Sequence, residues 1–182
     1  MSKKLHSGTI FLEDEGFMVN GGEQMRTSID LHNFLLSLEI PHEISLIEMS
    51  ASSAAMAAAC LGLDQSEVGK TLIIKIDDNP AIAVIPGNRR LDLKKVKQVT
   101  KASKVKLMNP KDIVSLTGYV VGSIPPLAHA NQMPVYVDLR LLAIPFIYTC
   151  GGQMNAVLKI KPVDLITAAN AQIVDISDDG RV

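Results

Sequence analysis

The chain has 182 residues, 47% apolar and 20% charged, with 18 basic and 19 acidic side chains for a net charge of −1; it can bury the core of one ordinary domain and is too apolar to be disordered as a whole. Trp is absent and aromatics reach only 4%, which argues against an aromatic cage or a platform stacking several bases. Two cysteines are too few for a disulfide framework, no apolar run approaches the ~18 residues of a membrane span, and acids interrupt the N-terminal stretch where a signal peptide needs its apolar run, so a cytoplasmic protein without a membrane partner is expected.

Residues 1–27 lack sustained periodicity and carry Gly8, Gly16, Gly21 and Gly22, so they read as an arm or extension, leaving 28–182 as the single domain. Leu31, Phe34, Leu35 and Leu38 recur at helical spacing, with Ser28 or Asp30 as N-cap and Pro41 as stop. Residues 42–47 alternate as a strand. Ser50, Ser52 or Ser53 then caps an Ala-rich helix that Gly62 closes. Two β-branched runs, 71–76 and 81–85, flank the turn signal Asp77-Asp78-Asn79-Pro80 and predict a hairpin.

Asp92 caps the next helix, with Leu93, Val96 and Val99 expected inward and Lys94, Lys97 and Lys101 outward. A strand at 104–108 precedes a helix opened by Asn109-Pro110 and closed by Gly118. Strands are expected at 119–121, 135–137, 146–150, 156–160 and 172–176, with a helix over 162–169. The class is α/β: a single domain with a mixed, twisted β-sheet flanked by short helices.

The balanced net charge hides an asymmetry. Arg89, Arg90, Lys94, Lys95, Lys97, Lys101, Lys104, Lys106 and Lys111 are opposed in that stretch only by Asp92. Such an island suits either a solvated helix face or a nucleic-acid backbone. Most compact chemical motifs are absent: there is no HExxH, CxxC or GxSxG. Gly69-Lys70-Thr71 looks like the tail of a phosphate-binding loop, but Asp64 stands where that loop needs glycine and a strand follows where it needs a helix. Cys60, in the Ala-rich helix, reads as a core thiol; Cys150, beside Gly151-Gly152, reads as a core thiol ahead of a nucleophile.

Three features remain. Lys70 opens a strand and can present an ammonium at a pocket edge, toward a carboxylate, a phosphate or a developing oxyanion. The stretch Gly118-Tyr-Val-Val-Gly122-Ser-Ile-Pro-Pro126 is stiffened by its prolines and can aim backbone amides at a carbonyl oxygen, or be an ordinary turn. Gly151-Gly152 fits a tight hairpin or a close ligand approach.

These stretches carry a resemblance. HEIS at 42–45, VGKTLIIK at 68–75, RRLDLKKV at 89–96, TGYVVGSIPP at 117–126, PVYVD at 134–138, YTCGG at 148–152 and LKIKPVDLI at 158–166 together resemble the YbaK/EbsC family, whose domain also occurs as the editing domain associated with prolyl-tRNA synthetase. The resemblance implies a YbaK-like fold over most of 28–182 and a trans-acting deacylase that hydrolyses the ester of mischarged tRNA, without a protein nucleophile and without a cofactor or metal. It implies Lys70, Gly122 and Ser123 as catalytic residues, and Ile124, Pro125, Pro126, Asp138, Gly151 and Gly152 as substrate-binding residues. Arg89, Arg90, Lys94, Lys97 and Lys101 would then bind tRNA. The aminoacylated acceptor end of tRNA is the implied partner, with an aminoacyl-tRNA synthetase as a candidate second one. The family's loop commonly reads GGxSP where this chain has GSIPP, and basic residues commonly follow the paired glycines where this chain has QMNA. These departures motivate an alternative: a catalytically weak module of the same fold that binds tRNA or a synthetase.

Overall fold

The structure, a computed structural model, describes residues 4–5, 25–48 and 53–178. Most of the expected N-terminal extension, and Ser50 and Ser52, lie outside the described residues. Strand β1 (Lys4–Leu5) pairs antiparallel with β2 (His42–Leu46).

Helix α1 (Ser28–Ser37) begins one residue earlier than its expected caps. Thr27 is the N-cap, and the Asp30 carboxylate accepts from the Thr27 amide at 2.7 Å, completing a capping box. Ser28 is thereby already helical, and its hydroxyl donates to Gln153 Oε1 at 2.8 Å. Ser53 caps α2 (Ala54–Leu61), accepting from the Met56 amide at 3.2 Å, and Gly62 ends it in the left-handed conformation. Only Ala57 and Ala58 of α2 are buried; Cys60 is exposed, because this short helix covers the core with one narrow stripe.

After a 3₁₀ turn at Gln65–Glu67 come β3 (Gly69–Ile76) and β4 (Asn79–Pro86), the expected hairpin, with each strand extended beyond its β-branched run. The short β5 (Arg90–Leu91) leads into α3 (Leu93–Thr100), which Asp92 caps at the Lys94 and Lys95 amides. Val96 is fully buried in α3, but Val99, expected inward, is 44% exposed. Strand β6 (Val105–Leu107) and α4 (Pro110–Thr117) follow; Pro110 takes the first helical position and Gly118 the left-handed cap.

The strand expected at 119–121 does not form. Ser123 donates its amide to the Val120 carbonyl at 2.9 Å, closing a turn, while Tyr119 is wholly buried. The chain continues through β7 (Val135–Asp138), a 3₁₀ turn at Leu139–Ala143, β8 (Ile147–Cys150), β9 (Ala156–Ile160), α5 (Pro162–Ala169), β10 (Gln172–Val174) and β11 (Ser177–Asp178).

The strands assemble into a mixed five-stranded sheet of order β10-β7-β4-β3-β6, an antiparallel sheet of order β1-β2-β9-β8, and the ribbon β11-β5. The pairs β10–β7 and β4–β7 are parallel. Strand β4 is central and buried on both faces, which is why it reads as an unbroken apolar run. Ile82 and Val84 face one cluster, shared with Leu31, Val137 and Leu158; Ala81, Ala83 and Ile85 face a second, shared with Val96 and Ile176. The two larger sheets meet where Val68 makes a parallel bridge to Tyr148. Gly69 permits that approach: a Cβ there would stand 2.9 Å from Ile147 Cγ2. None of the helices among the described residues is long and apolar enough to cross a membrane.

Candidate active site

At the junction of the two sheets lies a cavity of about 270 Å³. Its wall comes from Ser53, Ala54 and Ala57 at α2, from Val68 to Leu72 along β3, and from Thr149, Cys150, Ala156 and Val157 at the β8–β9 hairpin. Gly122 and Ile124 close the remaining side. The volume lies just below the range typical of drug-sized ligand sites, so it suits a small group rather than a whole nucleotide.

Among the described residues, Lys70 is the only charged side chain on this wall. Its ammonium donates to the backbone carbonyl of Arg89. Burial, and then the positive charge of Arg90, pull its pKa below that of an ordinary lysine. One N–H is used on Arg89, which leaves donors for an oxygen in the cavity. The turn supplying that carbonyl is itself wedged: a Cβ on Gly87 would meet the Gln65 carbonyl oxygen at 2.6 Å and Ala54 Cβ at 2.9 Å.

The segment that contributes Gly122 and Ile124 is clamped at both ends on the C-terminus of α4. The Arg26 amide donates to the Gly118 carbonyl at 2.8 Å, and the amides of Ala130 and Asn131 return to Thr117 and Leu116. Arg26 Nη1 donates to the Ala128 carbonyl at 3.0 Å. Within the segment, His129 Nε2 donates to the Pro125 carbonyl at 2.8 Å and stacks edge-on against Tyr119. Gly122 has φ +94°, a conformation that favours glycine. The backbone N–H groups of Gly122 and Ile124 donate to no acceptor among the described residues.

The other expected site residues are distributed unevenly. The Ser123 amide and hydroxyl both donate to the Val120 carbonyl, at 2.9 and 2.8 Å, so the side chain is spent inside its own turn. Pro125 and Pro126 are buried behind Ile124 in the sequence and are not part of the wall. Gly151 and Gly152 form the tight turn between β8 and β9: a Cβ on Gly151 would crowd Ala156, and one on Gly152 would stand 2.9 Å from the Thr27 carbonyl oxygen. Packing explains both glycines, and neither lines the cavity.

Asp138 does not line the cavity either. Its buried carboxylate accepts from the Arg140 amide at 3.0 Å, from Arg140 Nη1 at 3.2 Å and from the Ile176 amide at 3.1 Å. It ties β7 to the chain before β11. Arg140 bridges on to Asp175 at 2.6 Å, and Lys95 reaches the same carboxylate at 2.9 Å.

Of the basic island, Arg90, Lys94, Lys97 and Lys101 are exposed and Arg89 is half-buried. They continue from the rim beside Lys70 along α3. Residue-by-residue reading of the sequence passed over Thr71, Thr149 and Ala57, whose cavity positions follow only from the meeting of the two sheets. Cys150, expected to be core, lines the cavity half-buried, and burial pushes its thiol pKa up to about 11. Such a thiol stays protonated near neutrality and is a poor nucleophile.

Residues 48–168 match the family model described as an aminoacyl-tRNA editing domain. The chain is 30% identical over 126 residues to EbsC of Enterococcus faecalis, a protein named as a proposed Cys-tRNA(Pro)/Cys-tRNA(Cys) deacylase; the match covers 69% of this chain and 77% of that one. It is 28% identical over 96 residues to the proline–tRNA ligase of Shouchella clausii, covering 53% of this chain and 17% of the ligase. Among solved structures, that of a hypothetical protein shares 31% identity with a TM-score of 0.78, covering 82% of this chain and 99% of the other.

Proposed function

Because the chain belongs to the family of aminoacyl-tRNA editing domains, we infer that it is a trans-acting deacylase that hydrolyses the ester joining a wrongly attached amino acid to tRNA. The free-standing action is supported by the match to EbsC, which spans most of that protein, whereas the match to the ligase spans a small part. The observation that carries the site assignment is that Lys70 and Gly122, from distant parts of the chain, line one small cavity.

An aminoacyl ester is already activated, so positioning and charge stabilisation supply much of what hydrolysis needs. In this reading the acyl group enters the cavity and the Lys70 ammonium draws in an ester or phosphate oxygen. A water adds its oxygen to the carbonyl carbon. Negative charge develops on the carbonyl oxygen, where the unused amides of Gly122 and Ile124 are the available donors. The tetrahedral species collapses, the bond to the ribose oxygen breaks, and the proton released by the water ends on that oxygen. Among the described residues no carboxylate or imidazole lines the cavity, and the substrate's neighbouring ribose hydroxyl is the natural relay. Pro125 lacks an N–H and cannot act as a donor. Arg90, Lys94, Lys97 and Lys101 receive the acceptor-stem phosphates.

The test is release of amino acid from mischarged tRNA by wild type and Lys70→Ala. Loss of release in the variant supports the assignment; equal rates in wild type, variant and buffer overturn it. A second reading, a tRNA-binding module without turnover, is favoured by the diversion of both Ser123 donors to Val120. Saturable tRNA binding with no release would select it.

A further inference from the structure

Two threonines on the cavity wall are unlike their neighbours. Thr149 comes from β8 and Thr71 from β3, so they approach the cavity from different sheets. Thr149 is 3% exposed, and neither Oγ1 has a hydrogen-bond partner among the described residues. Much of the wall around them is hydrocarbon, from Ala57, Val68, Leu72, Ile124 and Val157, with Ser53, Lys70 and Cys150 on the same cavity. Gly69 lines the same wall, and a Cβ there would lie 3.7 Å from Thr149 Cβ. Valine has nearly the shape of threonine, so packing gives no reason for either hydroxyl.

A buried hydroxyl with no partner is unfavourable unless something supplies one. A threonine hydroxyl both donates and accepts, and rotation about a single bond redirects it. Its natural complement is another hydroxyl. An α-ammonium is a weaker fit, because it only donates and would place a second cation in the cavity with Lys70.

Resting on the deacylase reading above, we propose that Thr149, assisted by Thr71, determines specificity by hydrogen-bonding a hydroxyl on the β-carbon of the bound acyl group, so that seryl esters are hydrolysed in preference to alanyl esters. A site that hydrogen-bonds a substrate hydroxyl discriminates strongly against the analogue without it, because its own polar group is then left unpaired.

The experiment charges the same tRNA(Pro) with serine or with alanine and measures single-turnover release by wild type, Thr149→Val, Thr71→Val and Thr149→Ser, with thermal unfolding of each. Wild type is expected to prefer the seryl ester by about tenfold or more. Thr149→Val should lose that preference, the ratio of seryl to alanyl rates falling toward one, while Thr149→Ser keeps it. Thr71→Val should reduce the preference in the same sense. A wild type that favours the alanyl ester, or a Thr149→Val variant that folds and leaves the ratio unchanged, overturns the proposal while leaving the deacylase reading intact. If Thr149→Val does not fold, an unchanged ratio in Thr71→Val overturns it. Inactivity of wild type on every ester overturns both.

Discussion

His129 Nε2 lies 2.8 Å from the carbonyl oxygen of Pro125, inside the segment that closes the cavity. A carbonyl can only accept, so Nε2 carries a proton; the bond by itself favours the charged ring, and burial outweighs it. Burial is the main reason the His129 pKa is pushed down to about 4, from an ordinary value of 6.5. The native state therefore resists protonation where the unfolded chain accepts it. The associated stability is complete above pH 6.5 and is lost as pH falls from 6.5 to about 4. Urea unfolding of wild type and His129→Gln at pH 7.5 and 4.5 isolates this group from the carboxylates. Wild type should lose about 2 kcal/mol more than the variant over that interval; parallel losses would contradict the account.

Gly87 governs Lys70 at one remove. Its missing side chain lets the turn that carries the Arg89 carbonyl press against the Gln65 carbonyl and Ala54. Gly87→Ala should destabilise the protein by about 1–3 kcal/mol through overpacking. It should also lower kcat for ester hydrolysis by about tenfold, as the Lys70 ammonium loses its seat. A folded variant with unchanged kcat would show that the turn does not position Lys70.

Cys150 faces the cavity with a thiol pKa near 11, so it contributes no thiolate at neutral pH. Cys150→Ala should retain deacylation within about threefold. A thiol-reactive dye at pH 7.5 should label exposed Cys60 promptly and Cys150 only on unfolding. Abolished activity in Cys150→Ala with native unfolding behaviour would bring a protein nucleophile back into the mechanism.

The exposed cations of α3 should act as a phosphate-binding track. Lys94→Ala and Lys97→Ala should each weaken tRNA affinity and lower the dependence of log affinity on log salt by about one. An unchanged slope would reduce the track to a solvated helix face.

Much of the fold is legible locally. Asn109-Pro110 and Gly118 bound α4 as expected, and the hairpin around Asp77 and Asp78 lies where its turn residues place it. The exceptions have a common cause. Residues 119–121 carry β-branched and aromatic side chains, yet the Ser123 amide turns back to Val120 and Tyr119 is drawn into the core, a tertiary outcome that no local pattern encodes. Thr27 outcompetes Ser28 as cap because Asp30 is placed to return its bond. For the site, Lys70 and Gly122 stood out by residue type and family resemblance, and both reach the cavity. Asp138 also stood out, but its carboxylate is used by Arg140 and Ile176. Thr71 and Thr149 are inconspicuous in sequence, because a threonine in a strand is ordinary until a second sheet meets it.

The most direct measurement is an NMR titration with a stable, amide-linked 3′-aminoacyl adenosine, following the Lys70 side-chain nitrogen and the backbone amides. The account predicts that Lys70 and the amides of Gly122 and Ile124 shift together and saturate at one ligand per chain. Saturable shifts that bypass Lys70 and Gly122, or no shifts at any concentration with the fold intact, would contradict it.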